Sequence, residues 1–122
     1  MLLAARVFIG LVAALHAYFL VLEMFLWEKP LGLKIFRQSA EKARLTAVLA
    51  KNQGLYNGFL TAGLLWGLYL NCTNVPHGTD VIAFFLGCVI VAGVYGAATV
   101  SRGILFVQAI PAIIALGLLL AA

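Results

Sequence analysis

VIAFFLGCVIVAGVYGAATV, residues 81–100, runs its whole length without a charged side chain. A bilayer core of about 30 Å needs about 20 apolar residues at about 1.5 Å of helical rise each. The stretch therefore reads as a membrane span, and its neighbours read the same way. Residues 103–121 are again apolar, with Arg102 just before them and no charge within. Upstream, a third apolar run covers about 52–70. A fourth covers about 3–27 and is interrupted by Arg6, His16 and Glu23. Four spans consume nearly the whole chain of 122 residues, so the expected fold is all-α: a four-transmembrane-helix bundle in one integral membrane domain, residues 1–122.

Composition agrees. The chain is 65% apolar and 10% charged, where soluble domains run about 45–50% and about 25%. A lone globule this short would leave much of that apolar surface in water. A soluble single domain, a disordered tail and a disulfide scaffold are thereby excluded. The first apolar run exceeds the roughly 7–15 residues of a signal-peptide core and lacks a small-x-small cleavage site, so it is expected to be a true span.

Charge predicts the orientation. Segment 28–51 carries Lys29, Lys34, Arg37, Lys42, Arg44 and Lys51 against Glu28 and Glu41. The connection between the second and third spans holds one Asp and no Lys or Arg, and the last connection holds Arg102. Basic loops stay in the cytoplasm, so the first and third connections are placed inside and both termini outside, in a bacterial inner membrane. Arg6 argues the other way but is outnumbered. The positive-inside pattern accounts for the basic excess, and no nucleic-acid partner is implied. Ser39 before Ala40-Glu41 reads as an N-cap with an acid in the first turn. No proline follows until past residue 70, so the second helix should start in the cytoplasm and run unbroken into the bilayer. Pro30 and Gly32 should break the first helix after Trp27.

Polar side chains within spans are costly and face the interior. On the first helix His16, Glu23 and Trp27 fall within roughly 40° of one another. Asn52, Gln53, Tyr56 and Asn57 cluster on the second helix, Tyr95 and Thr99 lie on the third, and Gln108 on the fourth. Counted from the cytoplasmic edge, Glu23, Tyr56, Tyr95 and Gln108 sit at a common depth of about 6–9 Å, with His16 about 10 Å deeper than Glu23. Glu23 and His16 are the candidate catalytic groups. Asn52, Gln53, Tyr56, Asn57, Tyr95 and Gln108 are the candidate ligand-binding groups. Cys72 and Cys88 form no CxxC pair, and no metal-ligand spacing is present. Gly54/Gly58 and Gly63/Gly67 are GxxxG pairs, which permit close helix approach and suit packing or self-association.

The residues LEMFLW at 22–27, SAE at 39–41 and NQGLYNGF at 52–59 resemble the small bacterial membrane proteins catalogued as domain of unknown function 1304. The resemblance covers essentially the whole chain, with Ala40 standing where proline is common. It implies four helices in the inner membrane and no established activity. Glu23, Asn52, Gln53, Tyr56 and Asn57 all belong to the two signature elements of that family.

Three readings stay open at this stage. The favoured one is a pocket near the cytoplasmic side that binds or converts a small amphipathic molecule, with the lipid bilayer as its surroundings. The others are a small proton-coupled transporter and an accessory subunit whose polar groups pair helices within a homo-oligomer or larger complex. Enzymatic activity and any cofactor are left undetermined.

Overall fold

The computed structural model describes residues 1–122 and is all-helical. Helices make up 84% of the chain and there is no strand. The elements are α1 (Leu2–Met24), α2 (Pro30–Ile35), α3 (Ala40–Cys72), α4 (Gly78–Thr99), and a π-helical segment (Leu105–Ala109) that leads into α5 (Ile110–Ala121). Two of them, Leu2–Met24 and Gly78–Thr99, are individually long and apolar enough to cross a membrane. Only 28% and 22% of their apolar windows are buried. A core helix of a soluble protein would be mostly buried, and most of the apolar surface of these two helices is not. The other two expected spans are of a different kind. α3 is long but carries Lys51, Asn52, Gln53 and Asn57 within it, and Leu105–Ala121 is apolar but shorter.

The chain divides into two compact units, one of Met1–Ala14 with Leu60–Ala122, the other of Leu15–Phe59. In the first unit the buried core is Ala5, Ile9, Val12 and Ala13 of α1, Leu64 of α3, Ile82, Leu86 and Val89 of α4, and Ala112, Ala115 and Leu119 of α5. Small residues set the helix spacing. A Cβ on Gly67 would stand 2.7 Å from Ile82 Cγ1, and one on Gly93 2.7 Å from the Ala109 backbone nitrogen. The same unit explains Arg6. Its guanidinium donates to the Asn71 side-chain oxygen at 2.9 Å and to the Asn71 carbonyl at 3.1 Å, while the Asn71 amide donates to Thr79 Oγ1 at 3.2 Å. One asparagine thus ties the start of α1, the end of α3 and the start of α4.

In the second unit α1 ends at Met24, three residues before the expected boundary at 27. The Phe25 and Leu26 amides both turn back to the Val21 carbonyl, at 3.0 and 3.2 Å, which closes the helix and puts Trp27 in the turn beyond it. Pro30 does not merely break the chain, as the sequence suggested. It opens α2, because the first helical position needs no N–H and suits its fixed φ. Gly32 is required by sterics, since a Cβ there would collide with the Leu26 carbonyl oxygen. α2 ends with Arg37 in the left-handed region at φ 50°, and the Gln38 amide bonds back to the Leu33 carbonyl at 3.1 Å. Ser39 caps α3 as expected, its Oγ accepting from the Lys42 amide at 3.1 Å. α3 then runs 33 residues without interruption, about 50 Å of helix.

The last helix departs from the uninterrupted 103–121 reading. Pro111 supplies no N–H, and its ring crowds the carbonyl four residues earlier. The chain widens to π geometry just before it, with the Ile110 amide bonded to the Leu105 carbonyl.

The glycine contacts make a direct prediction. Gly93→Val should lower stability by about 2 kcal/mol, because its neighbour is backbone and cannot give way. Gly87→Ala, where a Cβ meets nothing within 4 Å, should be neutral or raise stability by up to about 1 kcal/mol. Reversible unfolding in mild detergent compares the two; equal losses would refute the close-approach account.

Candidate functional site

The candidate residues of the second unit gather where α1 ends against the middle of α3. Gly54 and Gly58 make that approach possible. A Cβ on Gly54 would lie 2.6 Å from Met24 Cγ and 3.1 Å from Glu23 Cβ, and one on Gly58 2.7 Å from Leu20 Cδ1. With the two helices this close, the Asn57 amide donates to Glu23 Oε1 at 2.5 Å. Glu23 is 9% exposed and is the one buried acid of the chain; Glu28, Glu41 and Asp80 all lie at the surface. A carboxylate removed from water requires such a donor.

Beside Glu23 lies an open cleft of about 220 Å³, lined by Glu23, Trp27, Thr46, Leu49, Ala50 and Gln53. Its far wall is fixed by hydrogen bonds the sequence did not reveal. Trp27 Nε1 donates to the Ala43 carbonyl at 3.1 Å and to Thr46 Oγ1 at 3.2 Å. The Thr46 hydroxyl in turn donates to the Lys42 carbonyl at 2.8 Å. The Trp27 ring packs on Phe36 with centroids 4.7 Å apart, so the segment holding α2 is anchored to the same wall. Thr46 could have been found by following the α3 face backwards, since Thr46, Ala50, Gln53 and Asn57 recur at spacings of four and three with alanine as the one apolar member.

The remaining candidates are placed as follows. Asn52 and Tyr56 are exposed on α3 and do not line the cleft; the Tyr56 ring lies 6.1 Å from that of Phe59. His16 is fully buried one stretch further along α1, with Phe19 edge-on at 5.6 Å. Tyr95 and Gln108 belong to the other unit. Tyr95 is 71% exposed on α4, at the end of an open apolar groove that also includes Phe84, Gly87, Cys88 and Val91. Gln108 is half-buried on the π-helical segment, a geometry that recurs at functional sites. Thr99 turns its hydroxyl onto the Tyr95 carbonyl at 2.7 Å and is used locally.

Chemically, the cleft combines a buried carboxylate, an aromatic wall with its N–H already engaged, and two aliphatic side chains. A volume of about 220 Å³ is below the roughly 300–1,000 Å³ of sites that enclose a drug-sized molecule. It suits the polar end of a ligand whose remainder lies outside.

The family described as "Protein of unknown function (DUF1304)" matches residues 10–120. The chain is similar to "Uncharacterized protein YpaA" of Lactococcus lactis subsp. lactis (strain IL1403), 29% identical over 108 residues, which is 87% of each chain. No solved structure matches.

The pairing of Glu23 with Asn57 should appear as an energetic coupling. A double-mutant cycle of Glu23→Ala and Asn57→Ala, each of which removes the bond, read by unfolding in detergent, should give about 1–2 kcal/mol. Tyr95→Phe, on an exposed face, should change stability by less than about 0.5 kcal/mol. A coupling indistinguishable from zero would mean the two side chains do not act on each other.

Proposed function

The chain belongs to the DUF1304 family of proteins of unknown function, and from that premise we propose that it is a multi-pass protein of the bacterial inner membrane that binds a small amphipathic molecule from the cytoplasmic leaflet. The carrying observation is the Glu23 carboxylate, buried, bonded to Asn57 and set at the edge of an open cleft with aliphatic and aromatic walls. The polar end of the ligand enters the cleft and its apolar part stays among the exposed apolar faces of the helices. Glu23 is the anchoring group, and the acid or base if the ligand is converted. Gln53 stands at the rim, with Asn52 and Tyr56 beside it on α3. His16, further along α1 in the same unit, remains a candidate for contacts deeper in the membrane.

The membrane arrangement in this reading has four spans, from α1, the apolar part of α3, α4, and the π segment with α5, in a single integral domain. Apolar surface on Leu2–Met24 and Gly78–Thr99 supports it, as does the length of α3. About 50 Å of helix exceeds a hydrocarbon core of about 30 Å, leaving the start of α3, with Lys42, Arg44 and Lys51, in the cytoplasm. Both termini then face outward.

Orientation is testable with one native thiol. In a Cys88→Ala background, Cys72 should react with an impermeant maleimide added to intact spheroplasts. In a chain carrying Cys72→Ser, Cys88→Ala and Arg44→Cys, the new thiol should react only after lysis. The reverse pattern overturns the orientation. Binding is tested by thermal-shift screening of wild type against Glu23→Gln over a panel of lipids and single-chain amphiphiles. At least one should raise the Tm of wild type selectively; a panel that stabilises both equally, or neither, would sink the binding reading.

A further inference from the structure

The hydrogen-bonding inventory of the cleft is lopsided. Its fixed donors are already spent: the Trp27 N–H on Ala43 and Thr46, the Thr46 O–H on Lys42, the Asn57 amide on Glu23. A carboxylate offers two oxygens and about four acceptor positions, and Glu23 takes one hydrogen bond, at Oε1. The lining therefore presents acceptor capacity, with only the exposed Gln53 amide offering a donor. No lysine or arginine lines it. The basic residues of α3 are all exposed on the helix outside.

From this ledger we infer that the cleft receives a protonated primary amine carried by an amphiphile, its N–H groups donating to the Glu23 carboxylate. The inference rests on the amphiphile-binding reading above and narrows it to one head-group class. An anionic head would meet a buried carboxylate. A quaternary ammonium carries charge but no N–H, and its recognition calls for a cage of aromatic faces. Trp27 is the one aromatic on the lining, and its ring is packed on Phe36. A volume of about 220 Å³ accommodates an aminoethyl-sized head and leaves the chain outside. The amine can come from a phospholipid head group or from a free long-chain amine, since both present the same ammonium.

Trp27 lines the cleft and is a built-in reporter once the other tryptophan, exposed on α3, is replaced by Trp66→Phe. That protein in phosphatidylcholine nanodiscs is titrated with dodecylamine, dodecyltrimethylammonium or dodecanol, and separately with phosphatidylethanolamine or phosphatidylglycerol. The two cationic surfactants carry equal charge, so surface potential cancels between them. The expected result is a saturable change in Trp27 emission with a primary amine, at least tenfold weaker with dodecyltrimethylammonium, dodecanol and phosphatidylglycerol. Saturation by phosphatidylethanolamine assigns the head group of a lipid; saturation by dodecylamine alone assigns a free amine. Glu23→Gln should weaken the response at least tenfold, and if that variant does not fold, the wild-type contrast between primary and quaternary amine decides by itself. Equal responses to all head groups, or a preference for dodecanol or phosphatidylglycerol, overturn the ammonium inference and leave amphiphile binding standing. No saturation with any amphiphile overturns both.

Discussion

A carboxylate buried among apolar helices must be met by a donor, and much of the local structure follows from how Glu23 is met. Asn57 reaches it because Gly54 and Gly58 let the α3 backbone lie against α1 with almost no side chain between them. Side chains of ordinary size at those positions would push the helices apart and strand the carboxyl group. Each glycine costs about 1 kcal/mol of helix propensity relative to alanine, less than the penalty of leaving a buried carboxyl group without a partner. The closure of α1 at Met24 belongs to the same arrangement. Ending the helix one residue after Glu23 frees Trp27 to swing against α3, where its N–H fixes the opposite wall of the cleft.

The unit of Met1–Ala14 and Leu60–Ala122 obeys the same rule with different residues. Close packing of small residues and a few hydrogen bonds join its helices. Gly67 against Ile82 and Gly93 against Ala109 provide the packing. Arg6, Asn71 and Thr79 provide the hydrogen bonds, together with the Thr61 hydroxyl on the Ala13 carbonyl at 3.0 Å. Arg6 looked like an anomaly of charge placement. It is instead a pin with two donors in a fixed fork, a geometry lysine could not reproduce.

How far the sequence reveals this depends on the range of the interaction. Helix identity is local, so uncharged runs, the Ser39 cap and the proline-free stretch after it were legible. Glu23 and the Asn52–Asn57 cluster were each conspicuous in an apolar context, but the bond between Glu23 and Asn57 joins residues 34 apart and could be read only from the structure. What escaped involves backbone groups or distant partners. The Trp27 indole bonds a carbonyl and a threonine on another helix, and nothing in its own neighbourhood announces that. Arg6 and Asn71 stand 65 residues apart. Prolines were the other gap, since their effect depends on position. Pro30 sits where a helix can begin, whereas Pro111 sits inside one and is accommodated by π geometry.

Helix pairing alone does not account for a carboxylate at position 23. A glutamine there would bond Asn57 amide to amide and hold α1 against α3 without a charge to desolvate. Of the two side chains, glutamate is the costlier in an apolar surrounding, and the difference between them is confined to the second oxygen. Glutamine spends that end on an NH₂, a donor; glutamate keeps it as an acceptor. The neighbouring donors are meanwhile drawn away, Trp27 and Thr46 toward α3 carbonyls and Asn57 toward Oε1. Packing sets the helices in place, but it leaves Glu23 with a second acceptor oxygen that no hydrogen bond from the chain engages, on the lining of an open cleft.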